Sequence, residues 1–222
     1  MKRIRRRNFI IQIFAFVMGS MALGACINRG KEKGKAGPGR SPGPGFENSI
    51  SKNLEMPRDL LMKLLDQKVN HYMQSSNNCA QSSYLALSEQ FEIESEEVLK
   101  ALTPLPGMAE RGETCGAMIG PLMVFGQIYG RGKSNLHDWN RYRNSLIPSG
   151  KFCRQFEEAF GSTRCHGIQE TAFGRSYQLN DPEELRKFRE ADATDKCSAV
   201  VRKAVRMAAE IILKEQEAAD DA

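Results

Sequence analysis

Residues 115–130 read CGAMIGPLMVFGQIYG, a run without a single charged side chain. A helix that is apolar on nearly every side has no solvent face, so this segment is expected at the buried centre of the domain. Gly116 and Gly120 lie four apart and would let a neighbouring backbone approach closely. Pro121 is awkward in a helix beginning at Cys115, because it would forfeit a bond to the Ala117 carbonyl. The regular helix is therefore expected to start near Gly120, with Cys115 on a loop just before it.

Working outward, apolar residues recur at helical spacing. Leu61, Leu65, Val69 and Tyr72 form one expected face, and Ala80, Tyr84, Leu87 and Phe91 a second. Leu136, Trp139 and Tyr142 form a third, and Phe152, Phe156 and Phe160 a fourth. Val201, Val205, Ala208 and Ile212 mark a long final helix. Breakers fall between these sets at 75–78, 104–112, 130–132, 148–150, 161–162 and 180–182. Asp181-Pro182-Glu183-Glu184 reads as a helix start, with an N-cap, a first-turn proline and acids at the positive end of the helix dipole. No strand alternation and no Asn-Gly or Asp-Gly hairpin signal occurs. The expected fold is all-α: a single compact helical bundle preceded by a signal peptide and a flexible tether. Met108, Met118 and Met123 are expected as core filler rather than copper ligands.

The 222 residues are 41 % hydrophobic and 27 % charged, which excludes whole-chain disorder and a multi-span membrane protein. The net charge of +5 is concentrated at the N-terminus. Residues 1–25 carry five bases and no acid, and residues 27–45 five bases and one acid. The remainder is net acidic, so nucleic acid is not an expected partner.

Residues 1–25 read as a signal peptide: a basic start, an apolar run from Phe9, and small residues at its end. Arg6-Arg7-Asn8-Phe9-Ile10 resembles a twin-arginine export signal; a plain basic start for the general secretory route is the alternative. Leu23-Gly24-Ala25-Cys26 resembles a lipobox, in which Cys26 is lipidated; cleavage nearby is the alternative. Residues 26–52 are expected as a lipid-anchored Gly/Pro/Lys tether whose bases add attraction to an anionic membrane surface. Residues 53–217 are expected as the helical domain and 218–222 as an acidic tail. The expected location is exported, held on the periplasmic or outer side of the bacterial cytoplasmic membrane.

Five further cysteines remain: Cys79, Cys115, Cys153, Cys165 and Cys197, with no C-x-x-C among them. Cys79, Cys115, Cys165 and Cys197 each fall at or near an expected helix start, where the partial positive charge favours thiolate. If the segments 94–103, 136–160 and 182–192 are return helices, with 136–160 one rod bent at Pro148, all four starts lie at one end of the bundle. Cys153 falls inside a return helix, beside Phe152 and Phe156, and reads as core.

These residues carry a resemblance. Asn78-Cys79-Ala80-Gln81, the block CGAMIG at 115–120, FEEAFGSTRC at 156–165, and Cys197 followed by Val200, Val201 and Ala204 are similar to the redox-active proteins named after the pattern C-GCAxxG-C-C. The similarity spans roughly residues 60–210; Cys153 and Pro121 stand outside the pattern. It implies a small helical redox protein. Some members carry a twin-arginine signal, which hints at an iron–sulfur cluster or other prosthetic group. Members are often encoded near transporters or oxidoreductases, so a membrane or periplasmic protein of either kind is an implied partner.

Cys79, Cys115, Cys165 and Cys197 then admit several readings. They are iron–sulfur ligands of an electron-transfer module, redox-active disulfide pairs, two inert staples of a structural lipoprotein, or thiolate ligands for zinc or copper. A domain of this size does not need staples. His166 adjoins Cys165 as an alternative ligand or pKa modifier, with polar surface the plainer reading; His71 and His137 read as ordinary. Arg111-Gly112-Glu113 is a candidate lip over the site, or a solvated turn. No Walker loop, catalytic triad or H-E-x-x-H motif occurs.

Overall fold

The computed structural model of the protein describes residues 44–220. The signal, the lipobox with Cys26 and most of the expected tether lie outside the described residues. The described chain is helical, as expected: α1 (Pro44–Glu55), α2 (Arg58–Ser76), α3 (Cys79–Gln90), α4 (Glu96–Ala101), α5 (Gly107–Glu110), α6 (Gly116–Tyr129), α7 (Trp139–Phe160), α8 (Cys165–Phe173), α9 (Pro182–Glu190) and α10 (Ala193–Asp220). Among the described residues there is no strand, only one isolated antiparallel bridge, Thr114 with Arg164. None of the described helices is long and apolar enough to cross a membrane.

Helix α6 is the centre of the bundle and packs on α3, α7 and α10, while α2 closes the other side of α3 and α10. Its glycines do what their spacing suggests. A Cβ on Gly116 would stand 2.3 Å from Cys79 Sγ and 2.8 Å from the Ala80 nitrogen, and one on Gly120 2.6 Å from the Tyr84 nitrogen. Only hydrogen fits there, so α3 and α6 meet backbone to backbone. This contact also decides where α6 begins. The helix starts at Gly116 on Cys115 as N-cap, not near Gly120, and carries Pro121 inside it. Packing along the Gly116–Gly120 edge outweighs the one backbone bond that proline removes.

The flanking faces follow their periodicity. Leu61, Leu65, Val69, Ala80, Tyr84, Leu87, Phe91, Phe152, Phe156, Val201, Val205, Ala208 and Ile212 are all fully buried. On α2 the stripe continues through Met73 rather than Tyr72, which stays half-buried and donates its hydroxyl to Glu89. Asn78 caps α3 by accepting from the Ala80 and Gln81 nitrogens, and Ser95 caps α4. Asp181 caps α9 with Pro182 at its first position, as the sequence indicates.

Four expectations are corrected. First, α1 begins at Pro44, inside the segment assigned to the tether. Phe46 and Ile50, four apart, are buried in the core, and the Ser49 hydroxyl donates to the Phe91 carbonyl at 2.8 Å. Second, Pro148-Ser149-Gly150 does not break α7: Pro148 is buried within a continuous helix, and the Ser149 hydroxyl donates to the Ser145 carbonyl. Third, Leu136 and Trp139 are exposed rather than core, because the first half of α7 buries no large side chain. Fourth, Met118 is buried but Met108 and Met123 are exposed. The acidic C-terminus is helical through Asp220.

Candidate functional site

Helices α3, α6, α8 and α10 begin at the same end of the bundle, since α4, α7 and α9 return the chain between them. Cys79 is the first residue of α3, Cys115 the N-cap of α6, Cys165 the first residue of α8 and Cys197 the fifth of α10. All four line one cavity of about 30 Å³, with Ala117, Ile168, Ala172, Phe173 and Val200 as its apolar wall. That is room for about one or two water molecules. Cys153 is not in its wall; it sits half-buried against the core. All five described cysteines are free thiols.

The bridge between Thr114 and Arg164 fixes two of the four. The Cys115 nitrogen donates to the Thr163 carbonyl at 2.9 Å, and the Cys165 nitrogen to the Glu113 carbonyl at 2.6 Å. Outside it, Arg164 pairs with Glu113 at 3.2 Å. The segment 111–113 is thus not a loose lip but one rail of the site, with Gly112 buried beneath the His166 ring. Ahead of it, α5 is a left-handed turn, with φ of 42° at Met108, 59° at Ala109 and 62° at Glu110. Such a conformation costs roughly 1–2 kcal/mol per non-glycine residue. It sets Gly107 against Cys165, where an added Cβ would lie 3.5 Å from the sulfur. At the far side, the Thr194 hydroxyl donates to Asn77 Oδ1, tying the start of α10 to the turn before α3.

The four thiols are electrostatically unequal, which corrects the expectation that all four favour thiolate. Only the Cys79 thiol is held below its ordinary range. The Cys115 thiol donating to its sulfur is the main cause, and burial opposes it. The backbone N–H groups of Gly116, Cys79 and Ala117 add to the lowering. Cys79 thus sits between the amino ends of two helices whose unpaired N–H groups point at it. Cys115, as the donor, is held well above its ordinary value by that bond, by burial and by the neighbouring charge at Cys79. Burial pushes Cys165 up to about 12, helped by Cys79 and Glu110. Cys197 lies a full turn inside α10, past its unpaired N–H groups, and burial raises it as well.

Two contributors escaped the sequence. Gln169, almost fully buried on α8, donates from Nε2 to Cys165 Sγ at 3.3 Å and accepts the Tyr177 N–H at 2.8 Å. Lys196 lines the cavity with its ammonium 4.6 Å from the Phe173 ring centre, a charged edge on an apolar wall. Spacing gave no signal for Gln169; a lysine beside Cys197 was visible but had no partner until α8 folded against α10. Replacing Gln169 with Ala leaves the buried Tyr177 N–H without an acceptor. We expect a loss of about 2 kcal/mol, read as a lower midpoint in urea denaturation.

No curated protein and no solved structure matches this chain. One family does, described as "Putative redox-active protein (C_GCAxxG_C_C)", over residues 77–211. That span takes in α3 through most of α10 and all four cavity cysteines, and on it the chain belongs to this redox-active family.

Proposed function

We propose that the protein is a thiol–disulfide redox module whose working pair is Cys79 and Cys115. The observation that carries this reading is geometric: the Cys79 sulfur lies against Gly116 at the amino end of α6, next to Cys115, the N-cap of that helix, on one cavity. The Cys79 thiolate attacks a disulfide on a partner protein, forming a mixed disulfide and releasing one partner thiolate. Cys115 then gives up its proton and attacks Cys79 Sγ, which releases the second partner thiolate. The partner gains two electrons and two protons, and the module holds a Cys79–Cys115 disulfide. Reduction runs the same steps backward. Cys165 and Cys197, held neutral by burial, complete the lining of the cavity beside its apolar wall.

Iron–sulfur ligation is the second reading, supported by the convergence of four sulfurs on one cavity. Cys79, Cys115, Cys165 and Cys197 would be its ligands and electron transfer its chemistry. As arranged, they suit a cluster less well than a dithiol. Among the described residues no three His, Cys, Asp or Glu side chains are grouped to hold a metal ion, and the cavity is water-sized.

One experiment separates the readings: anaerobic purification, iron and sulfide analysis, then peptide mass mapping after equilibration with oxidised and reduced dithiothreitol. The expected result is a metal-free protein with a reversible Cys79–Cys115 disulfide. Stoichiometric iron and sulfide lost on Cys165→Ser would overturn it in favour of the cluster. A disulfide that reductant cannot open in the folded protein would favour the inert staple.

Export and lipid anchoring belong to the same proposal, on the strength of Arg6-Arg7, Phe9 and the Leu23-Gly24-Ala25-Cys26 block. Cys26→Ser should release the protein from membranes and abolish fatty-acid labelling. Replacing both arginines by lysine should stop export; continued export would assign the general secretory route. A membrane-bound or soluble exported oxidoreductase, or a transporter, is the proposed class of partner.

A further inference from the structure

Four large apolar side chains stand in solvent close together in the chain. Trp139 is 66 % exposed, Leu136 and Ile147 60 %, and Leu146 43 %. Trp139, Arg143 and Leu146 follow one another at spacings of four and three along α7, so they share a face, with Ile147 on its flank. That face is opposite the buried Pro148, Phe152 and Phe156, which hold the second half of the helix on the bundle. Cations are interleaved with it. Arg131 lies over the Tyr142 ring at 4.7 Å and the Trp139 ring at 5.6 Å, and Lys133 and Arg143 are exposed. Between residues 131 and 147 the only acid is Asp138, and its carboxylate accepts the Arg141 backbone N–H at the start of α7.

The position of this face in the bundle matters as much as its composition. Helices α3 and α6 both start at the cysteine end and so finish at the other. There Gln127 near the end of α6 donates to the Ile93 carbonyl just past α3. Arg141 of α7 donates to the Gly130 carbonyl, and Gly45 at the start of α1 lies against Glu92. The first described residue, the ends of α3 and α6 and the start of α7 are therefore at one end, away from the four thiols. Pro44, the first described residue, belongs to this end, and the sequence preceding it, residues 27–43, carries five bases and one acid.

We propose that the outer face of the first half of α7, with Leu136 and Arg131 before it, is a docking surface for an anionic lipid membrane. Its composition matches the interface: Trp and Tyr for the headgroup level, aliphatic side chains to enter the acyl boundary, and cations for lipid phosphates. The acids of this end lie on other elements, among them Glu89 at the end of α3, Glu92 and Glu94 on the α3–α4 turn, and Glu215 and Glu217 near the end of α10; Glu89 is paired with Lys68, Glu92 with Lys52, Glu215 with Lys151 and Glu217 with Arg58. Docked this way, the domain turns its cysteine cavity away from the bilayer, toward aqueous partners. The inference stands on α7 and is independent of the chemistry at the thiols.

Trp139 is the only tryptophan in the chain, so its fluorescence reads this face alone. The test uses the full chain carrying Cys26→Ser, mixed with phosphatidylglycerol–phosphatidylcholine vesicles or with phosphatidylcholine alone. With the anionic vesicles we expect a blue shift of emission and quenching by brominated acyl chains. Both should vanish in about 1 M salt, where the screening length is ~3 Å. Both should also be lost in Leu146→Ser/Ile147→Ser, with the circular dichroism of the bundle unchanged, and weakened in Arg143→Glu. Unchanged Trp139 emission with saturating anionic vesicles overturns the proposal, even if the chain sediments with them through its N-terminal residues. A blue shift that grows with protein concentration in the absence of lipid also overturns it, assigning the face to a second copy of the chain.

Discussion

Gly120→Ala and Gly126→Ala, the same chemical change at two positions of α6, are expected to move stability in opposite directions. At Gly120 the new methyl would stand 2.1 Å from Ser83 Oγ, 2.6 Å from the Tyr84 nitrogen and 2.7 Å from the Ala80 carbonyl oxygen. The serine hydroxyl can rotate away, but the two backbone atoms belong to α3 and cannot. The helices must separate along a contact that holds the centre of the domain, at a cost of about 3 kcal/mol or more. That is a large fraction of the roughly 5–15 kcal/mol that a domain has in hand. At Gly126 an added Cβ meets nothing within 4 Å, so alanine there removes only unfolded-state freedom. A gain of about 0.4–1 kcal/mol follows. Urea denaturation of the two variants beside the parent measures both. A small loss at Gly120 would mean that α3 and α6 do not meet backbone to backbone.

The second large effect is on thiol reactivity. At pH 7, iodoacetamide should modify Cys79 first, with a pH–rate midpoint below the roughly 8.5 of a free thiol. Removing the donor, Cys115→Ala, should move that midpoint up. A hydrogen bond to a charged group is worth about 1.5–3 kcal/mol, which is one to two pH units and at least a tenfold slower reaction at pH 7. Cys115→Ser keeps a donor and should retain part of the effect. Equal alkylation of all four cavity thiols at pH 7 would contradict the asymmetry.

The same asymmetry has a signature in stability. Cys115, Cys165 and Cys197 stay protonated in the fold to higher pH than in the unfolded chain. Above about pH 8.5 the unfolded state therefore binds fewer protons, and stability falls by up to about 1.4 kcal/mol per pH unit for each such thiol. Cys79 acts in the opposite sense. Its contribution is full above the unfolded value and is lost as pH falls through its lowered folded one.

The bundle was legible in the sequence because helical burial repeats every three to four residues and needs no knowledge of the neighbour. Leu61, Leu65, Val69 and the Val201–Ile212 stripe announce a buried face whatever they pack on. Convergence of the four thiols was legible for a similar reason: helix starts separated by return helices fall at one end by connectivity alone. Gly116 and Gly120 announced a close approach, although not to which helix. The failures share a cause. Trp139 and Leu136 have the right spacing for a core face, but burial requires a second surface, and no described element covers the first half of α7. Phe46 and Ile50 sit behind a Gly/Pro stretch that hid an apolar pair one turn apart.

Residue order alone carried the inventory: all-helical elements, four cysteines at helix starts, and a redox family pattern across them. The electrostatic difference among the thiols arises only when the helices pack. Helix-start position predicts the same shift for all four. The actual shift depends on how many N–H and S–H donors from other elements reach each sulfur, and how much water those elements remove. Gly116 and Ala117 of α6 and the Cys115 thiol aim at Cys79, which belongs to α3. Cys165 and Cys197 receive mainly the desolvation. Hydrogen bonds and burial act through distances of a few Å between residues far apart in the chain, and those distances exist only once α3, α6, α8 and α10 have packed.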